Sequence, residues 1–380
     1  MAHDAVSYVN PRTGVQWPVD RPIWRDPDDG GYVNLTPGDG ISRRDIASEA
    51  PGLWRYRAAI RLMGDSYLSL GEGWTPLVSS HWEGAPVLMK CEYLMPSGSF
   101  KDRGTSVLFN YLKQNGLEKL IEDSSGNAGS SYSTYAAAFG LDCQILVPAS
   151  TPVAKKAQIA AMGAQLEEVG GTREDVARAA LSAAETVFYA SHNWQPYFLE
   201  GTKTLAFEIW EQSGFLVPDN IIVPLGYGSN VIGLYIGFLE LLMSGEADRL
   251  PRIFAAQATN CAAFYAAWKA GGVRVDIAAK PTIADGIASE RPVRIPEVME
   301  AVNKSGGAIV VVEEEEIVTS FNTFARRGFF VEPTSATAGA VLSRLIRDEV
   351  VADSEATVIV LTGHGLKAVE KIVSFNGVLV

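Results

Sequence analysis

Residues 119–147 read KLIEDSSGNAGSSYSTYAAAFGLDCQILV, and four local signals follow one another in them. Lys119–Glu122 is an apolar run with the length of a buried strand. Ser124–Ser131 is a turn of small residues. Gly129–Phe139 has helical periodicity, and Cys143–Val147 is a second apolar strand. A strand–turn–helix–strand unit of this length is the building block of a parallel sheet.

The alternation continues in both directions. Further strands are expected at Val87–Lys90, Gln165–Val169, Thr186–Ala190, Asn220–Leu225, Arg252–Ala256, Ala308–Val312 and Thr357–Leu361. Between them lie helical segments at Thr105–Asn115, Val153–Met162, Arg173–Ala184, Lys203–Gln212 and Ala336–Arg347. The fold class is therefore α/β, with parallel-type sheets flanked by helices. A chain of 380 residues, at about 150 per domain, has room for two domains and a small appendage. Residues 1–45 are that appendage: they are rich in turn formers such as Pro11, Pro18, Pro22, Pro27, Gly30 and Gly31.

Charge and cysteine content exclude several functions. The net charge is −12 and there is no basic cluster, so phosphate backbones and anionic membranes are poor partners. Cys91, Cys143 and Cys261 are too scattered for a disulfide framework or a thiolate metal site. The histidines His3, His81, His192 and His364 have no metal-ligand spacing. Ile221–Leu239 carries no charge, but Pro224, Gly226, Gly228 and Gly233 interrupt it. It reads as strand, glycine turn and apolar helix rather than a membrane span. The start, MAHDAVSY, has neither a basic nor an apolar region of a signal peptide, so a cytoplasmic chain is expected. Glu313–Glu316 follows an apolar strand and reads as the first turn of a helix, where negative charge is favoured.

Ligands of open α/β sheets bind where strands turn into helices, and four such turns carry unusual residues. In Pro96–Gly104, Ser99 reads as a helix N-cap and Lys101 lies in the first turn. A cation there opposes the helix dipole, and an amine with a lowered pKa would suit Schiff-base chemistry; a solvated surface lysine is the plain alternative. Ser124–Ser131 offers small residues and free amides for an anion, with Asn127 able to donate and accept; an ordinary capped turn is the alternative. Gly226-Tyr227-Gly228-Ser229-Asn230 can cradle a phosphate, but it is neither a dinucleotide fingerprint nor a P-loop. Thr362, at a strand end, can hydrogen-bond a ring nitrogen or merely cap a turn.

Taken together and in order, these turns resemble the threonine synthase branch of the fold-type II pyridoxal-phosphate enzymes. The resemblance spans about residues 50–380. It rests on Leu70–Leu77, Ser97–Gly104, Ser124–Gly129, Glu332–Ala336 and Thr362–Lys367. It implies pyridoxal 5'-phosphate as cofactor and an amino acid as substrate. It implies that Lys101 forms the Schiff-base link and moves the α-proton. It implies that Asn127 meets the ring hydroxyl, that Gly226, Tyr227, Gly228, Ser229 and Asn230 hold the phosphate, and that Thr362 faces the ring nitrogen. Ser124, Ser125, Ala128 and Gly129 would line the place of the substrate carboxylate. The implied domains are a large cofactor-binding one (46–104 and 200–380) and a smaller mobile one (105–199). A homodimer is implied by the same resemblance.

Two departures stand out. Many such relatives begin with a four-cysteine zinc ribbon, whereas here Asn10, Thr13, Asp26 and Asp29 stand about where the thiolates would be. A ribbon-like appendage without metal is expected, its core supplied by Trp17, Trp24 and the prolines. The segment that grips the substrate phosphate in threonine synthases reads His192–Gly201 here, with Phe198 at the arginine position. His192 would partly replace that cation, or the substrate carries no phosphate. The expected activity is threonine synthase-like, from O-phosphohomoserine to threonine and phosphate. A threonine or serine dehydratase, to which Thr282–Ala288 points, is the alternative. A catalytically dead regulatory protein is disfavoured by the intact Lys101.

Overall fold

The computed structural model describes residues 6–376; the reading of the first five residues, His3 included, lies outside them. In chain order the strands are β1 (Ser7–Val9), β2 (Gln16–Pro18), β3 (Asn34–Leu35), β4 (Leu77–Trp82), β5 (Ala85–Lys90), β6 (Lys119–Glu122), β7 (Asp142–Pro148), β8 (Gln165–Val169), β9 (Phe188–Tyr189), β10 (Asn220–Pro224), β11 (Arg252–Ala258), β12 (Ala308–Val312) and β13 (Thr357–Val360). The helices are α1 (Lys101–Gln114), α2 (Asn127–Phe139), α3 (Val153–Ala161), α4 (Arg173–Ala183), α5 (Pro196–Thr202), α6 (Thr204–Gln212), α7 (Ser229–Met243), α8 (Ala263–Lys269), α9 (Ile295–Lys304), α10 (Glu314–Arg326), α11 (Pro333–Arg347) and α12 (Val369–Asn376).

The chain forms two compact units. The first comprises Met1–Glu72 and Lys101–Thr202, the second Gly73–Phe100 and Lys203–Val380. The first unit holds a four-stranded, all-parallel sheet in the order β8-β7-β6-β9. Its core joins Leu108, Phe109 and Leu112 of α1 to Tyr132, Tyr135 and Phe139 of α2 and to Ile145 and Val147 of β7. The second unit holds a six-stranded sheet in the order β12-β11-β10-β13-β5-β4. Its neighbours run parallel except for the edge pair β4–β5. The α/β reading thus holds in both units, with apolar strands buried by helices.

The segment that mimicked a membrane span is β10, a loop and α7. Among the described residues no helix is long and apolar enough to cross a membrane. Glu313 caps α10 through a reciprocal pair with Glu316, as the charge run suggests. α11 opens at Pro333 rather than Ala336, because proline is preorganised for the first helical position. α1 opens at Lys101 rather than Thr105. Position 104, inside that helix, takes glycine because a Cβ there would fall 2.5 Å from the ring of Phe198 on α5.

In the appendage, β1 pairs antiparallel with β2 and β3, and Tyr8, Val33 and Leu35 enter the core of the first unit. Its two tight turns are clasped by polar groups. The buried Asn10 amide donates to Asp26 and to Asp29 Oδ2, the latter at 3.0 Å. Arg12 grips Asp29 in a fork, Nε at 2.9 Å and Nη2 at 2.9 Å, which holds the Asp29 carboxyl below the usual carboxylate range. Asp26 Oδ1 accepts from the amides of Asp28 and Asp29. Trp24 packs edge-on against Tyr189 and Trp194. Among the described residues no group of His, Cys, Asp and Glu is placed to hold a metal. With no cysteine in the first 50 residues, elemental analysis is expected to find no stoichiometric zinc, and a chelator to leave the melting temperature unchanged. One zinc per chain, lost with unfolding on chelation, would overturn this.

Candidate active site

In the second unit the first half of the lysine motif forms a short extended ribbon against residues 362–364. The Phe100 amide donates to the Thr362 carbonyl at 3.0 Å, and the His364 amide to the Gly98 carbonyl at 3.0 Å. Lys367 Nζ donates to the Ser97 carbonyl at 2.9 Å. Ser99 is not the N-cap expected of it. It sits in the ribbon, one residue too early, and its buried hydroxyl has no hydrogen-bond partner in the protein.

Thr362 is buried two residues beyond β13. Its hydroxyl lies 2.9 Å from Ser335 Oγ and donates to Glu332 Oε1 at 3.2 Å. The Thr362 amide donates to Ser335 Oγ at 2.9 Å. The threonine is therefore one member of a Thr–Ser–Glu chain, not an isolated hydroxyl. Sequence reading named Glu332 and Ser335 within a motif and gave them no role.

The glycine turn 226–230 leads from β10 into α7. Gly228 has φ +100° and a Cβ there would meet Val298 at 2.5 Å, so only glycine fits. Ser229 and Asn230 open a helix of 15 residues, whose first amides have no partner within the helix. Both amide atoms of the buried Asn230 side chain lack a hydrogen-bond partner. A free helix N-terminus beside an unsatisfied amide is the arrangement that a phosphate completes.

The first unit carries Lys101, Asn127, His192 and Phe198. Lys101 is half-buried at the start of α1, with Nζ 5.6 Å from the centre of the Phe198 ring. Asn127 is the first residue of α2, after Ser124, Ser125 and Gly126 in the turn from β6; Ala128 and Gly129 follow it, buried. Phe198 is fully buried, and its ring lies 5.8 Å from that of His192. Phe198 and His192 thus stand together beside Lys101.

His192 does not carry the charge that sequence reading allowed it. Burial holds its pKa well below the ordinary value, and the Lys101 charge adds to this. Its Nδ1 lies 2.7 Å from Oε1 of Glu122, at the end of β6. Burial pushes the Glu122 carboxyl up to about 7, against the pull of Arg173 and Lys101. Sequence reading gave Glu122 no role. The available signal was a carboxylate ending an apolar strand just before a ligand-type turn.

The Leu70–Leu77 motif is where the chain passes from one unit to the next. Within the first unit, buried Glu72 accepts from Trp54, Ser69, Leu70, Ser106 and Tyr135. Within the second, Glu208 accepts from the amides of Trp74 at 2.8 Å and Thr75 at 2.7 Å, and pairs with buried Lys90.

Comparison with known proteins agrees with this geometry. Residues 68–363 match the family described as pyridoxal-phosphate dependent enzyme. The chain is 34% identical over 339 residues to threonine synthase of Methanocaldococcus jannaschii, covering 87% of this chain and 84% of that protein. It is 32% identical over 315 residues to threonine synthase of Mycobacterium bovis, covering 80% and 85%. Among solved structures, a threonine deaminase from T.th. superposes with a TM-score of 0.64 at 25% identity, covering 76% of this chain and 92% of that one. A fungal L-serine ammonia-lyase from Rhizomucor miehei gives 0.70 at 22% identity, covering 80% and 98%, which speaks for the fold alone. The turn sequences, the parallel sheets and these matches agree: the chain belongs to the pyridoxal-phosphate-dependent enzymes and is a threonine synthase-like lyase.

Proposed function

We propose that this enzyme eliminates or replaces a group on the side chain of a small amino acid, with Lys101 as the residue that carries the cofactor and moves the α-proton. The observation that carries the reading is the placement of Lys101 at the head of α1, directly after the ribbon that binds residues 362–364. Pyridoxal phosphate, when bound, supplies an electron sink for negative charge at the substrate's Cα. The residues present suit that group. The amides at Gly226–Asn230 would hold its phosphate without a cation. Asn127 would meet its ring hydroxyl, and Thr362 its ring nitrogen. Ser124, Ser125, Ala128 and Gly129 would orient the substrate carboxylate at the start of α2.

The similarity to threonine synthases makes O-phosphohomoserine, converted to threonine and phosphate, the first substrate to test. A second reading, dehydration of an unphosphorylated hydroxyamino acid, is favoured by a specific observation: the buried ring of Phe198 beside a neutral His192. A homodimer in the cytoplasm is the expected form by analogy. A panel of amino acids assayed for keto acid, ammonia and inorganic phosphate tests the function. Phosphate release with threonine formation supports the first reading, ammonia with keto acid the second. Neither product from any member of the panel would overturn both.

A further inference from the structure

We propose that Glu122, held by His192, reads the substrate's side chain and selects a hydroxyl-bearing amino acid over its phosphorylated counterpart. The inference deepens the second reading above, an unphosphorylated hydroxyamino acid as substrate, and rests on Lys101 as the cofactor lysine. Glu122 is fully buried, yet only one of its oxygens is used. Oε1 faces His192 Nδ1 at 2.7 Å, while Oε2 is buried without a hydrogen-bond partner. A buried carboxyl oxygen left open in this way is a place for a ligand group or an ordered water. It belongs to the same cluster as Lys101, because the Lys101 charge acts on both Glu122 and His192, and Phe198 adjoins both Lys101 and His192.

The charges around Glu122 decide which ligand group fits. From α4, Arg173 faces it, but Arg173 is paired with Asp123 at 2.7 Å. From the end of its own strand, Asp123 is further engaged by Tyr189 of β9, whose hydroxyl donates to it at 2.8 Å. Tyr132 of α2, Tyr189 and Cys143 of β7 have pKa values raised by burial and stay neutral. From α1 comes Lys101, assigned to the cofactor. The Glu122–His192 pair therefore carries a charge of zero or minus one near neutral pH, and the two cations that act on it are engaged, Arg173 by Asp123 and Lys101 by the cofactor. A phosphate dianion finds no charge-assisted donor there and meets a carboxylate as pH rises. A hydroxyl suits both states, accepting from the protonated acid and donating to the ionised one.

The test is binding, followed by the visible absorbance of the enzyme reconstituted with pyridoxal phosphate. L-Threonine and L-homoserine are compared with L-2-aminobutyrate, which has the same carbon skeleton as each without the hydroxyl. Glu122→Ala should weaken the tighter-binding hydroxyamino acid by about tenfold, as for loss of one hydrogen bond to a chargeable group. It should leave L-2-aminobutyrate within about twofold. Glu122→Gln, which keeps a hydrogen-bonding group, should restore most of the loss. O-phospho-L-homoserine should bind at least about tenfold more weakly than L-homoserine, with a gap that widens from pH 6 to 8 as Glu122 ionises. An equal loss for L-2-aminobutyrate would reduce Glu122 to a structural role and overturn the proposal. So would tighter binding of O-phospho-L-homoserine than of L-homoserine. A wild-type protein that forms no borohydride-reducible link with pyridoxal phosphate would instead overturn the underlying cofactor reading.

Discussion

Lys101→Ala should abolish the visible absorbance of bound pyridoxal phosphate and lower turnover by about a thousandfold or more, on the scale of losing a positioned nucleophile and base. The expectation follows from placement. Lys101 begins α1, immediately after Phe100, whose amide is tied to the Thr362 carbonyl. The lysine's backbone is thereby fixed from both directions, by the ribbon before it and the helix after it. Its own backbone carbonyl accepts from Thr105 Oγ1 at 3.0 Å, which ties it into the first turn. The variant should still fold, because Lys101 is only half-buried at the first residue of α1 and alanine is a strong helix former. Lys101→Arg should fail as completely as Lys101→Ala, since a guanidinium keeps the charge but not a nucleophilic amine. Retention of a borohydride-reducible link in Lys101→Ala would sink the assignment and point to another lysine.

The strands and turns of this fold were legible because they bury apolar runs on both faces. β10 and β13, buried throughout, lie within one residue of where the apolar runs put them. What escaped notice was held by tertiary contact. β4 reads LVSSHW, a half-polar edge strand whose only sheet neighbour among the described residues is β5. α5 contains a proline, two aromatics and a glycine in seven residues, a poor intrinsic helix that packs Phe198 over Gly104 of α1. The candidate site divides the same way. Lys101, Gly226–Asn230 and Thr362 belong to local motifs, each readable within ten residues. Glu122 gains its meaning from His192, 70 positions away, and the neutral state of that histidine depends on burial. The Thr362–Ser335–Glu332 chain likewise joins two motifs about 30 residues apart.

Glu72→Ala should destabilise the first unit by about 3–5 kcal/mol, because it leaves several buried donors without an acceptor, partly offset by relaxation. Glu72 is fully buried and accepts from five donors. Oε1 takes Trp54 Nε1 at 2.6 Å and the hydroxyls of Ser69 and Ser106; Oε2 takes the Leu70 amide at 2.8 Å and Tyr135 Oη at 3.0 Å. Alanine would strand the indole, the α1 hydroxyl and the α2 phenol in a place closed to water, at ~1–3 kcal/mol for each unsatisfied group before relaxation. At ~2–4 °C per kcal/mol for a unit of 150–250 residues, the melting temperature should fall by roughly 6–20 °C. Glu72→Gln should cost less, because one carbonyl oxygen remains and only one acceptor becomes a donor. Thermal melts of both variants, read beside Lys101→Ala, separate the two kinds of residue. The lysine variant should melt near the wild type and be inactive. The glutamate variant should melt early and, below its transition, still bind pyridoxal phosphate through Lys101. A Glu72→Ala melt within about 2 °C of the wild type, less than the shift expected for even 1 kcal/mol, would show that this carboxylate is not what fastens α1 and α2 to the residues before Gly73.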